Sequence, residues 1–325
     1  MSSRTLLRLV LLLQALAALA IGAAAMRWRE VNLWQAAALG LGSVALVRLL
    51  INANNFLMAA RSASPTPPAY RITPGQALRM YWEEFSTSML TTSWHMPRAQ
   101  ARSRIHPGSA HPPVLLLHGY GCNSGYWASL APILDAARIS HATLDLEPLM
   151  GDIDAYAARI EAAAQDLCAQ SGARQLVVVA HSMGGLAARA WMRVHGAGRV
   201  ARLITLGTPH HGTCLAAFGL GINAGQMRRT GVAGPECAWL SALAAAEDVA
   251  VRARITSLYS HHDNIIAPQT SSQLPGARNL AFGGVGHVAL GHNRRVLASV
   301  MEEIDAVRIE RAAPVAMQHH EDVHR

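Results

Sequence analysis

The residues with the clearest chemical potential lie in VVVAHSMGGLAARAW, positions 177 to 191. Small apolar residues lead to His181 and Ser182, two glycines follow, and an apolar stretch with helical spacing begins. So abrupt a passage from buried strand to helix lifts its turn residue above the carboxyl edge of a sheet. The pattern Ala180-His181-Ser182-Met183-Gly184 matches the G-x-S-x-G nucleophile elbow, with Ala in place of the first glycine and small enough to fit. A Ser that opens a helix often serves only as an N-cap. The strand before it and the helix after it give Ser182 the setting in which the hydroxyl acts as a nucleophile. A serine alcohol is a weak nucleophile at neutral pH. It needs a base, and the base needs a partner that fixes its tautomer and stabilises its charged form.

Two later strand ends supply both. SLYSHHDNIIAP enters a loop at Asp263, and AFGGVGHVALGHNRRV enters a glycine-rich loop at His287. Each would reach the sheet edge that carries Ser182, in the chain order nucleophile, acid, base. The lesser alternative for Asp263 is merely to cap a turn with Asn264. Asp145 precedes Ser182 and suits a structural role. His292 is a rival base, but it begins the final helix, whereas Gly283, Gly284 and Gly286 free the approach of His287. His261 and His262 read as surface residues at a strand end. His210 and His211 hint at a metal, yet no carboxylate cluster accompanies them, so neither metal nor cofactor is expected. The N–H of Met183, at a helix N-terminus, would face a developing oxyanion. A second donor should come from the loop HGYGCNSGYW, where the Tyr120 N–H is the candidate and His118 a brace.

These residues need a scaffold, and the rest of the chain alternates strand and helix. Strand-like runs occur at 112–121, 141–148, 174–180, 200–207, 252–260 and 277–282, with helices at 153–172, 183–196 and 294–309. Short apolar runs between helices imply a doubly wound, mostly parallel α/β sheet covered on both faces. No internal repeat is visible.

The chain has 325 residues, 51% of them hydrophobic and 15% charged, which is more apolar than a soluble domain needs. The excess sits at the start. Leu9 to Met26 and Val31 to Ile51 each approach the roughly 20 residues of a spanning helix, joined by the polar turn RWRE. Residues 1–52 therefore read as a transmembrane hairpin, with Trp28 and Trp34 at headgroup level and Arg48 snorkelling. A cleaved signal, with AAA at 23–25 as its processing site, is the competing reading. Arg4, Arg8, Arg48, Arg61 and Arg71 flank the spans, against Arg27 and Arg29 in the turn. The positive-inside rule then places the following domain in the cytoplasm of a bacterial inner-membrane protein. The net charge of +8 is carried by arginine alone, scattered along the chain, which argues for a membrane surface and against nucleic acid. Cys122, Cys168, Cys214 and Cys237 show no metal spacing; Cys214 and Cys237 would pair only in an oxidising compartment. Residues 53–112 form a Pro/Ser linker and an edge helix, with Leu78, Trp82 and Phe85 as its packing face. A domain over 113–311 and a polar, His-rich tail over 312–325 complete the chain.

With LLLHGYGCNSGYW, VVVAHSMGGLAARAW, LITLGTPHHGT and the Asp263 and His287 loops in this order, the chain resembles α/β-hydrolases of the bacterial triacylglycerol lipase and esterase group. The resemblance implies Ser182 as nucleophile, Asp263 as acid and His287 as base, with Tyr120 and Met183 donating to the oxyanion. It implies an acyl ester or lipid substrate and a glycine-rich lid over about 212–240. Ala180 and the N-terminal hairpin depart from that group's pattern. Acyl transfer or thioester cleavage would use the same side chains, and a non-enzymatic membrane binding protein would need none of them. Acyl chain length and oligomeric state are not encoded in any motif.

Overall fold

A computed structural model describes residues 2–307; the expected polar tail at 312–325 lies outside the described residues. Two long helices open the chain. The first, α1 (Ser3–Arg29), starts where the Ser2 hydroxyl accepts from the Thr5 N–H and stops at Glu30, which has a positive φ. The second, α2 (Leu33–Ala60), starts in a reciprocal cap between Asn32 and Gln35. They pack on each other through small residues. A Cβ on Gly40 would lie 2.2 Å from the Ala18 carbonyl oxygen, so no larger side chain fits there. Their other faces carry Leu12, Leu16, Leu19, Leu41 and Leu46 in the open. Both helices are long and apolar enough to cross a membrane.

Hydropathy ends the second apolar stretch near residue 52, but α2 continues to Ala60. Asn52, Asn54 and Asn55 break the apolar run without breaking the backbone ladder, because the last turns leave the hairpin and pack against the rest of the protein. A third helix, α3 (Pro74–Leu90), follows a Thr73–Gln76 capping box. Its packing face differs from the expected one. Leu78 and Trp82 are exposed, and the buried residues of the helix are Met80 and Glu84, one turn apart.

A seven-stranded sheet follows, in the order β1-β3-β2-β4-β5-β6-β7. Its strands are β1 (Ser103–Arg104), β2 (Val114–Leu117), β3 (His141–Leu144), β4 (Leu176–His181), β5 (Val200–Leu206), β6 (Ile255–Ser260) and β7 (Arg278–Phe282). All neighbours are parallel except β1 on β3. Period-two alternation splits the core in two. Leu115, Leu117, Val178 and Ala180 face one layer with the helices Ala157–Ser171 and Met183–His195. Val114, Leu116, Val177 and Val179 face the other, with Trp127, Leu130 and the helix Arg294–Asp305. β2 lies between β3 and β4, so chain direction across the sheet reverses there. Crevices at such switch points, beyond the carboxyl ends of the strands, are where open α/β sheets bind ligands.

The segment 212–240, expected as a glycine-rich lid, contains short helices at Cys214–Phe218, Ile222–Gln226 and the start of Ala238–Ala245. It is tied down by Thr213 N–H to Met227 O and Cys214 N–H to Ala267 O, both 2.8 Å. All four cysteines are free thiols, Cys214 and Cys237 among them.

Candidate active site

β4 runs straight into the helix Met183–His195, and Ser182 is the residue between them. Its backbone is at φ 54°, ψ −126°, a conformation that costs an L-residue energy. Three contacts enforce it. The Ser182 N–H donates to the Leu206 carbonyl, the Thr208 hydroxyl donates to the Ser182 carbonyl, and Gly184 lies flush on β2. A Cβ on Gly184 would sit 2.6 Å from the carbonyl oxygens of both Leu117 and His118. The elbow is therefore shaped by the approach of the helix to the sheet.

The structure brings Ser182, Asp263 and His287 together. His287 Nδ1 lies 2.8 Å from Asp263 Oδ2, and His287 Nε2 lies 3.0 Å from Ser182 Oγ. A carboxylate can only accept, so Nδ1 carries the proton and Nε2 is left to accept from the Ser182 hydroxyl. All three side chains are buried. Asp263 does cap a turn, and it holds His287 at the same time: Oδ1 accepts from the N–H groups of Ile265 and Ile266, and Oδ2 is given to the imidazole. Burial pushes the His287 pKa down, but the charge and hydrogen bond of Asp263, with the charge of Glu84, outweigh it and leave the pKa raised. A hydroxyl, an oriented imidazole and a carboxylate in this arrangement can generate a serine nucleophile.

A family model described as the α/β hydrolase fold matches residues 112–230. Among solved structures, a lipase of Bacillus licheniformis in mature form is similar at TM-score 0.52 and 22% identity, over 63% of this chain and 97% of that one. Lipase B of Aspergillus fumigatus is similar at TM-score 0.54 and 17% identity, over 77% of this chain and 64% of that one. The domain has the α/β-hydrolase fold. At these identities the likeness concerns the fold, and the chemistry must be argued from the side chains.

In this hydrolase-fold domain Met183 and Tyr120 follow the ends of β4 and β2, neighbouring strands at the switch point. Neither backbone N–H donates to another group among the described residues. The Tyr120 side chain turns away, its hydroxyl bonded to the backbone of Leu220. A cavity of about 530 Å³ opens on Ser182, walled by Tyr120, Leu215, Phe218, Met227 and Ile266, and on one side by Asn54, Asn55 and Met58 of α2.

The histidines weighed against His287 have other partners. His118 Nε2 accepts from the Leu146 N–H and braces the loop after β2. Asp145 accepts from the Ser124 N–H. His292 is bonded to the Ser129 hydroxyl through Nδ1, and burial lowers its pKa to about 4, so the rival base is engaged elsewhere. His261 is buried beside Tyr70 and Tyr259, not at the surface as its strand-end position suggested. His210 Nδ1 faces the Arg189 guanidinium, itself paired with Glu247, and a cation in that position disfavours a metal. Among the described residues the grouping whose donor atoms could hold a metal is a different one, His106, Asp135 and His141, on β3 and the segments beside it.

Several residues of the site carry no motif. His181 stacks on Tyr126 with centroids 4.1 Å apart and bonds the His287 carbonyl through Nε2. Asn264 Oδ1 accepts the His287 N–H. From outside the domain, Glu84 of α3 accepts the N–H groups of Val288 and Ala289, at 3.0 and 2.8 Å, one on each oxygen. Gly286 leaves room for that carboxylate. An acidic residue on an amphipathic helix ordinarily marks the solvent face, so no sequence signal singles out Glu84.

Proposed function

We propose that this chain is a membrane-anchored serine hydrolase that cleaves carboxylic esters of lipids through an acyl-Ser182 intermediate. The observation that carries the reading is the pair of contacts at His287, 3.0 Å to Ser182 Oγ and 2.8 Å to Asp263 Oδ2. Ser182 Oγ attacks the ester carbonyl as His287 Nε2 takes its proton. Asp263 holds the ring and stabilises the imidazolium. The N–H groups of Met183 and Tyr120 receive the oxyanion, where such donors are worth about 3 kcal/mol each. His287 then protonates the departing alkoxide, and a water activated by the same imidazole releases the acid. The segment 212–240 serves as a cap over the acyl chain, and the mostly apolar cavity beneath it suits one. Helices α1 and α2 anchor the protein, with the domain on the cytoplasmic side.

The test is a fluorophosphonate probe and a ladder of acyl esters offered to the full-length protein in detergent. Covalent labelling at Ser182 with release of acid supports hydrolysis. Transfer to an added alcohol without release would make the enzyme an acyltransferase, and no labelling would refute the reading. The pH profile is a second check. Ester attack needs neutral His287 in the free enzyme, and its pKa is raised from 6.5. The acid limb of kcat/KM on a soluble ester should therefore have its midpoint above pH 6.5, with activity lost as pH falls through it. A midpoint at or below that value would contradict the Asp263–His287 pairing.

A further inference from the structure

Three cavities lie in series from the helical hairpin to Ser182. The first is a groove of about 320 Å³ between α1 and α2, lined by Leu13, Ala17, Ile21, Val44 and Val47 and ending at Gln14 and Arg48. The second, about 250 Å³, shares Gln14 and Arg48 with the first and adds the polar side chains of Asn52, Asn55, Ser88 and Thr92. The third is the cavity on Ser182, which shares Asn55 with the second. Arg48 therefore stands where the groove meets a second cavity of mixed lining, and that cavity touches the one on Ser182 at Asn55.

The surroundings of Arg48 are unusual for a cation on an apolar helix. Its Nε and Nη2 donate to Gln14 Oε1 at 3.0 and 2.7 Å, and its Nη1 donates to Ser93 Oγ at 2.7 Å and Thr92 Oγ1 at 3.2 Å. Each of these oxygens is neutral. They hold the guanidinium in place without balancing its charge. A charged side chain in such a setting ordinarily marks a ligand or pathway. Depth identifies the ligand. Leu90 and Trp94, which flank the Arg48 partners Thr92 and Ser93 in the chain, are exposed. With α1 and α2 spanning a membrane, an exposed tryptophan at this point settles at the headgroup layer, which would put the guanidinium at the depth of lipid phosphates and the groove in the acyl region. A planar guanidinium is suited to a phosphodiester.

We propose that glycerophospholipid is the substrate and that it arrives sideways from the bilayer: its phosphodiester rests on Arg48, one acyl chain stays between α1 and α2, and the other ester passes Asn55 to Ser182. The proposal rests on the ester-hydrolase reading and assigns its substrate class. Arg48 and Asn55 are two helical turns apart, about 10 Å, a span covered jointly by the arginine side chain and a glycerol backbone. In the reaction the carbonyl–oxygen bond of one ester breaks as the Ser182 Oγ–carbonyl bond forms. The glycerol oxygen leaves with the proton held by His287, and water then yields the fatty acid. The sum is phospholipid plus water to lysophospholipid plus fatty acid.

The experiment compares dioleoylphosphatidylglycerol with dioleoylglycerol, at equal mole fraction in maltoside micelles, as substrates of the full-length protein. The wild type should turn over the phospholipid about fivefold faster, the worth of one well-placed cation at an anionic headgroup. Arg48→Gln should bring the ratio close to one, and Arg48→Lys, which keeps the charge, should retain most of it. In parallel, an ether-linked phosphatidylglycerol carrying a diazirine in its chain should crosslink to α1 or α2 in the wild type and in Arg48→Lys, and fail to do so in Arg48→Gln. Equal turnover of the two lipids by the wild type, or a preference that survives Arg48→Gln, overturns the proposal. If Ser182 takes no probe and no ester is cleaved, the hydrolase reading is what fails. The crosslink then decides the lipid site alone: labelling that depends on the Arg48 charge supports it, and none overturns it.

Discussion

Ser182→Ala is expected to lower ester turnover by at least about 10⁴-fold and to abolish fluorophosphonate labelling, while stability changes by no more than about 1 kcal/mol. The two halves of this expectation have separate causes. The backbone of Ser182 is held by groups that the substitution leaves in place: the N–H on Leu206, the carbonyl on the Thr208 hydroxyl, and the glycine behind it. The positive φ of 54° strains Ala as much as Ser, so the elbow should persist. Only one hydrogen bond is lost, the 3.0 Å contact with His287. Catalytically, among the described residues no other hydroxyl bonds the His287 imidazole. Because nucleophile and base act as a unit, Ser182→Ala/His287→Ala should be no slower than Ser182→Ala alone. Thermal melting, probe labelling and turnover of a soluble ester measure all of this. A Ser182→Ala protein retaining more than about 1% of the activity would mean that the chemistry is elsewhere.

How far these properties were legible in the sequence depends on how local they are. The elbow is contained in fifteen contiguous residues, and its strand–turn–helix form follows from small residues and apolar spacing. Asp263 and His287 lie far along the chain, yet each ends an apolar run, and a parallel sheet brings the ends of its strands to one edge. Position therefore followed from topology. What escaped depends on packing between distant elements. Leu78, Trp82 and Phe85 look like the packing face of α3 because they are apolar. The face that packs carries Met80 and Glu84, because the surface it meets is a loop whose backbone N–H groups lack backbone acceptors, rather than an apolar core. The continuation of α2 to Ala60 was hidden in the same way. Asparagines end a hydropathy window, but here Asn54 and Asn55 face the cavity on Ser182. The segment 212–240 looks unstructured from its glycines, although the carbonyls of Met227 and Ala267 order it. His261 shows the limit of position alone, since a strand end faces solvent only where no other segment covers it, and Tyr70 does cover it.

Glu84 ties the N-terminal region to the loop that carries His287, and its removal carries the second large expected effect. Its two oxygens take up the N–H groups of Val288 and Ala289, the residues directly after His287. Those N–H groups open the short helix Val288–Gly291, where no intrahelical acceptor exists for them. Glu84→Gln keeps the size of the side chain but turns one acceptor into a donor that faces an N–H. Glu84→Ala leaves both N–H groups buried and unsatisfied, at about 1–3 kcal/mol each. Either change frees the loop that sets the His287 ring between Ser182 and Asp263, and a displacement of about 1 Å there costs roughly 10²-fold in rate. We expect kcat/KM on a soluble ester to fall by about that factor in Glu84→Gln. A second consequence separates positioning from mere folding. Burial raises the Glu84 pKa, while the two N–H donors and His287 favour its charged form, and that charge in turn helps to raise the His287 pKa. Without the charge the imidazolium is less stabilised, so the acid limb of kcat/KM should move to lower pH in Glu84→Gln and stay near its original position in Glu84→Asp. Loosened folding alone would lower the whole profile without moving that limb. A Glu84→Gln protein with wild-type rate and an unshifted limb would show that α3 merely lies against the domain, and that the N-terminal helices and the His287 loop are independent.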